Sequence, residues 1–196
     1  MANFPPFIRL VCEGSTTEPN YFNGLLRAQG LKISDAAYKP KDHSPMGIAK
    51  EAKRIYQEAV KAKIPKNKIF VGAIFDHDGH ANLANAIEML RDTPIQVGFS
   101  HICFEFWVLL HFEKTSRSFR NCDEVIRYIQ ENHDAQYNKN NDHFERLNKR
   151  IPTAIAHAQW LCNTHWQYDE RPIWQLNPYT NIHEILQKIE GVIHQN

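Results

Sequence analysis

Residues Ile69–His80 read IFVGAIFDHDGH. Every position from Ile69 to Phe75 is apolar or glycine, the pattern of a strand covered on both faces of a parallel sheet. The run then ends in two carboxylates, Asp76 and Asp78, with a histidine after each. In an open parallel sheet, ligands gather outside the carboxyl ends of the strands, where the loops are free to vary and helix N-termini point at them. The charge therefore stands where such a sheet binds. Strand alternation predicts Asp76 and Asp78 on one side of the turn and His77 turned away.

Working outward, strand and helix patterns alternate. Phe7–Cys12, FIRLVC, is a compact β-prone run followed at once by Glu13 and Gly14. Ser15 with Glu18 three residues on has the spacing of a capping box, and Pro19 fits only a first turn, so a helix is predicted through Tyr21, Phe22, Leu25 and Leu26. Lys32–Tyr38 is a second strand candidate. Ser44 caps a helix with Pro45 at its start, and Ile48, Ala52, Ile55, Tyr56 and Ala59 share one face. A helix over Ala81–Arg91, a short strand over Ile95–Phe99 and the apolar helix CFEFWVLLHF, Cys103–Phe112, complete the series. This alternation predicts an α/β fold, an open parallel sheet flanked by helices. Residues 1–112 form the expected core, and residues 113–196 a mostly helical C-terminal extension packed on it. Asn132–Asn148, rich in Asn, Asp, His and Lys, reads as a mobile loop or insertion.

A chain of 196 residues suits one domain and its core. Its 23 Lys and Arg nearly balance 22 Asp and Glu, so overall charge points to no class of partner. No run approaches the length that spans a bilayer, and MANFPPFIRL lacks the regions of a signal peptide; no membrane association and a soluble, cytoplasmic protein are expected. Cys12, Cys103, Cys122 and Cys162 show no CxxC spacing and read as buried thiols.

If the strands ending at Glu13 and at Asp76 are neighbours, Glu13, Asp76 and Asp78 converge on one edge. Carboxylates brought together repel unless a cation neutralises them, and a hard divalent ion, Mg²⁺, is the natural occupant. The plainer alternative has Asp76 capping the next helix and Asp78 with Gly79 making a turn. Glu105, within an almost wholly apolar helix, either pairs near the helix start or points back to the carboxylate edge. His111 reads as a packed histidine with a satisfied hydrogen bond. Between Lys39 and Lys68 there are nine basic and three acidic residues. Lys50, Lys53 and Arg54 lie within this stretch, and Lys114 follows the apolar helix. The patch suits a phosphate backbone, or is a solvated helix face. No motif for sequence-specific DNA reading is present.

The segments VCEGSTTEPNYF, AIFDHDGH, CFEFWVLLHFE and NPYTNIHEIL, in this order between Ile8 and Leu186, resemble the RloB-like proteins of the toprim superfamily. The resemblance implies a toprim-like fold in which Glu13 works near the metal while Asp76 and Asp78 hold Mg²⁺. It also implies a partner ATPase of the ABC or AAA type, encoded nearby, in phage-defence or restriction-linked systems. Where many toprim enzymes carry a third acidic residue, this chain has His80, a better ligand for transition metals such as Mn²⁺ than for Mg²⁺. The expected function is metal-dependent phosphodiester cleavage of DNA or RNA. Glu13, Asp76, Asp78 and Glu105 would be catalytic; Glu13, Asp76, Asp78 and His80 would be metal-binding. The alternative is a non-catalytic subunit that keeps the fold and binds nucleic acid or the ATPase.

Overall fold

The computed structural model describes residues 4–31, 35–77 and 79–194. At its centre is β3 (Ile69–Asp76), buried at every position to Phe75. It pairs in parallel with β1 (Phe7–Cys12), in register from Phe7↔Ile69 to Cys12↔Ile74, and with β4 (Gln96–His101), where Asp76 faces Ser100. β2 (Ala37–Tyr38) lies parallel outside β1, and β5 (Tyr179–Thr180) runs antiparallel outside β4, giving the order β2-β1-β3-β4-β5. The expected α/β sheet is thus present, with β1 and β3 adjacent and ending at one edge. Lys32–Tyr38 is a strand only at Ala37–Tyr38; Lys32–Ser34 lie outside the described residues.

Alternation along the strands sends side chains to two cores. Ile8, Leu10 and Cys12 of β1 and Phe70 and Ile74 of β3 meet the helices of one face: α1 (Thr17–Ala28), α4 (Phe104–Leu109), α5 (Cys122–Asn132), α7 (Ile151–Leu161) and α8 (Ile182–His194). Val11, Val71, Ala73 and Phe75 meet α2 (Pro45–Lys61) and α3 (Leu83–Leu90) on the other. α2 begins as its sequence predicts: the Ser44 hydroxyl accepts from the Gly47 N–H at 3.1 Å, and Pro45 occupies the first turn. Its stripe of Ile48, Ala52, Ile55 and Ala59 is buried. Residues 113–196 supply β5 to the sheet as well as helices to its face.

Four expectations need correction. The Ser15–Glu18 capping box does not form: α1 starts at Thr17, and Glu18 turns its carboxylate back to the Gly14 N–H at 2.9 Å. The apolar helix ends at Leu109 rather than Phe112, because His111 and Phe112 donate to carbonyls three residues back and tighten the last turn. Cys103 and Cys122 are joined in a disulfide, with Cα atoms 5.7 Å apart, while Cys12 and Cys162 remain thiols. Linear spacing conceals this pairing, since it depends on α4 packing against α5. Finally, residues 132–148 are not a loose loop. Tyr137, Phe144 and Leu147 are buried, and α6 (Phe144–Asn148) seats Phe144 against Gly24 and Tyr21 of α1. These apolar anchors carry the segment while its Asn and Asp residues make turns. Among the described residues, no helix is long and apolar enough to cross a membrane.

Candidate functional site

The edge where β1 and β3 end is bridged by Glu13. Its N–H continues the ladder by donating to the Ile74 carbonyl at 3.2 Å, and its carboxylate accepts from the Asp76 N–H at 3.1 Å. The side chain is thereby held across the gap between two strand ends. His80 Nε2 lies 3.2 Å from the other Glu13 oxygen. Asp76 faces the same space, but it does not cap a helix: α3 starts at Leu83, and its N-cap is Asn82, six residues after Asp76. His77 is turned away, as alternation predicts, and packs at a tilt against His101, with ring centroids 4.0 Å apart. Asp78 lies outside the described residues.

Two further carboxylates close on this edge from the helices. Glu18, in the first turn of α1, is only 4 % exposed. Glu105, in the first turn of α4, is equally buried; it meets the Thr17 hydroxyl at 3.1 Å and Cys122 Sγ at 3.1 Å. The Thr17 hydroxyl is also 2.9 Å from the carbonyl of Lys139, so its single proton serves one oxygen at a time and ties the 132–148 segment to the site. Together Glu13, Glu18, Asp76, His80 and Glu105 line a cavity of about 410 Å³, with Lys39, His43 and Lys139 on its walls.

The electrostatics follow from burial. Desolvation, with the Glu105 and Glu13 carboxylates adding to it, pushes the Glu18 carboxyl up to about 7, against the pull of hydrogen bonds from its own N–H and that of Gly14. A carboxyl poised there exchanges protons at neutral pH. Burial and the Glu105 and Glu18 charges push the Tyr137 hydroxyl up, so it stays protonated beside the acids.

The oxygen-rich donor set suits a hard divalent cation, and the charge crowding felt by Glu18 is what such an ion relieves. Among the described residues, the trio whose ligand atoms all lie within 4.8 Å of one another is Cys103, Glu105 and Cys122 rather than Glu13, Glu18 and Asp76. Among the described residues, the carboxylates of this edge are therefore spaced more widely than that trio.

Glu18 was legible only as a cap; its recurrence five residues after Glu13, at a helix start facing the strand ends, is the signal that sequence reading passed over. Of the basic candidates, Lys50 and Arg54 border a second depression with Lys39 and Lys41, and Lys39 also lines the carboxylate cavity. Arg54 is neutralised by Glu51 at 2.7 Å and by Glu58. Lys53 lines neither cavity, and Lys114 lies over the Trp160 ring, 5.1 Å from its centroid. His111 is buried and bonded to Tyr21 and to the Trp107 carbonyl, as expected.

The family model described as RloB-like protein matches residues 8–189. No curated protein and no solved structure matches the chain.

Proposed function

Because this chain belongs to the RloB-like family, we propose that it is a metal-dependent, toprim-type enzyme that cleaves phosphodiester bonds in nucleic acid. The observation that carries this reading is the convergence of Glu13, Glu18, Asp76 and Glu105 on one cavity at the carboxyl ends of β1 and β3. Glu13 and Asp76, with Asp78, would hold Mg²⁺, and His80 beside Glu13 makes Mn²⁺ an alternative occupant. A divalent ion bound there supplies charge neutralisation for the non-bridging phosphate oxygens.

The chain's own groups then have distinct tasks. Lys39 and Lys139 on the cavity walls attract the phosphate backbone, and Lys39 joins the cavity to the basic strip of Lys41 and Lys50. Glu18, whose carboxyl is pushed up by burial and by the Glu105 and Glu13 charges, takes a proton from the attacking oxygen or returns one to the leaving oxygen. Thr17 orients Glu105, and Glu13 is kept rigid by the Asp76 N–H. A partner ATPase of the ABC or AAA type and a role in phage defence or restriction-linked systems are part of the same proposal.

The test is a gel assay on plasmid, single-stranded DNA and transfer RNA with Mg²⁺ or Mn²⁺, run with and without the neighbouring ATPase, alongside thermal unfolding in EDTA and in metal. Cleavage by the parent, its loss in Asp76→Asn, and a metal-dependent rise in melting temperature confined to the parent are expected. No cleavage together with no metal response would overturn the reading in favour of a binding subunit.

A further inference from the structure

The cysteine pair borders the cavity but has no task in the chemistry proposed above. We propose that Cys103, Glu105 and Cys122 form a second cation site, for a thiophilic divalent ion such as Zn²⁺, which becomes available when the Cys103–Cys122 disulfide is reduced. The three residues come from two helix starts: Cys103 is the N-cap of α4, Glu105 lies in its first turn, and Cys122 opens α5. One ligand atom from each lies within 4.8 Å of the other two, and Cys122 Sγ is already 3.1 Å from Glu105 Oε2. Zinc bonded to sulfur at about 2.3 Å and to carboxylate oxygen at about 2.0–2.2 Å places neighbouring ligand atoms roughly 3.3–3.8 Å apart. The trio is already gathered within 4.8 Å, and reduction frees the two sulfurs to part toward that spacing.

The donor type decides the ion. Two thiolates and one carboxylate favour Zn²⁺ over Mg²⁺, the reverse of the oxygen-rich Glu13–Asp76 edge. Access is provided, because all three residues line the cavity, and its water can complete a tetrahedron. The site is thus distinct from the carboxylate edge in donors and in ion, although both draw on the same cavity.

The chemistry balances in two steps. A dithiol reductant breaks the Cys103–Cys122 S–S bond; its two sulfurs are oxidised to their own disulfide, and two electrons and two protons pass to the protein as two thiols. Zinc then forms two Zn–S bonds as both thiols release their protons to solvent, so affinity rises with pH. Glu105 Oε2 turns to the ion while Oε1 remains beside Thr17. Occupancy therefore withdraws part of Glu105 from the cavity.

The experiment uses the full chain in excess Mg²⁺, which keeps the carboxylate edge occupied. One sample is oxidised; the other is reduced with dithiothreitol and freed of it under argon. Each is titrated with Zn²⁺ against a chromophoric chelator, and with Co²⁺ to read thiolate-to-metal charge-transfer absorption. One equivalent of tight binding and the absorption band are expected in the reduced sample alone. Cys103→Ser and Cys122→Ser should each lose at least tenfold in affinity, and Glu105→Gln less, while Asp76→Asn should keep both signals. The oxidised parent is the folded control. Equal binding by oxidised and reduced protein, or a band of undiminished intensity and affinity in either serine variant, would overturn the proposal. No readout depends on cleavage of nucleic acid, so it stands or falls apart from the proposed activity.

Discussion

Glu18→Gln tests the electrostatic core of the site. The carboxyl ordinarily loses its proton near 4.5, but in the folded chain it does so at about 7. Between these values the folded state holds a proton that the unfolded state has released, so stability falls as pH rises through the window. The stabilisation is fully present below about 4.5 and lost above about 7. At about 1.4 kcal/mol per pH unit, the gap amounts to about 3 kcal/mol. Glutamine keeps an oxygen to accept from Gly14 N–H and never ionises, so the variant lacks this slope. The difference in unfolding free energy, variant minus parent, should rise from near zero at pH 4 to about 3 kcal/mol at pH 8. That corresponds to roughly 6–12 °C in melting temperature for a chain of this size. The assay is urea or thermal unfolding in EDTA across pH 4–8, where titrating groups that do not interact with Glu18 cancel in the difference. Adding Mg²⁺ or Mn²⁺ should restore stability to the parent at pH 8. A difference that stays flat with pH, or that changes sign, would refute the reasoning.

Reversing Lys50 and Lys53 to Glu should weaken nucleic-acid binding uniformly across sequences and flatten its salt slope, while Arg54→Ala should change it less because Glu51 and Glu58 already hold that charge; fluorescence anisotropy at several salt concentrations reads both. Gly24→Ala and Gly191→Ala, the same substitution in two helices, should have opposite signs in urea unfolding. At Gly24 a Cβ would run into the buried Phe144 ring, and overpacking of about 1–3 kcal/mol exceeds the helical gain. At Gly191 nothing lies within 4 Å, and the gain of roughly 0.5–1 kcal/mol stands alone.

What the sequence made legible follows from the range of the forces involved. The β3 run and the Ser44 cap are local, set by alternation and by one hydroxyl within three residues, and both could be read directly. Pairing of β1 with β3 put Glu13 against the Asp76 N–H, an outcome that needed only that the two strands be neighbours. Glu18 was misread because Ser15 is near in sequence, whereas its electrostatic setting is made with Glu105 and Tyr137 from distant segments of the chain. The disulfide joins residues 19 apart whose meeting depends on the α4–α5 turn. In residues 132–148 a polar composition outweighed three apolar anchors, although spacing rather than composition decides whether a segment docks.

The bond from Thr17 to the Lys139 carbonyl joins residues 122 apart in the chain, and this sets the order of events on the ribosome. At about 5–20 residues per second, synthesis takes roughly 6–25 s to carry the chain from one partner to the other. Through that interval the nascent protein exposes Glu13 and then Asp76 without the wall that carries Lys139 or the aromatic anchors beneath it. β5, which covers the outer edge of β4, emerges later still. A chain of this kind therefore completes the lining of its cavity only after Lys139 and Asn140 have been made, so the carboxylates wait for their wall.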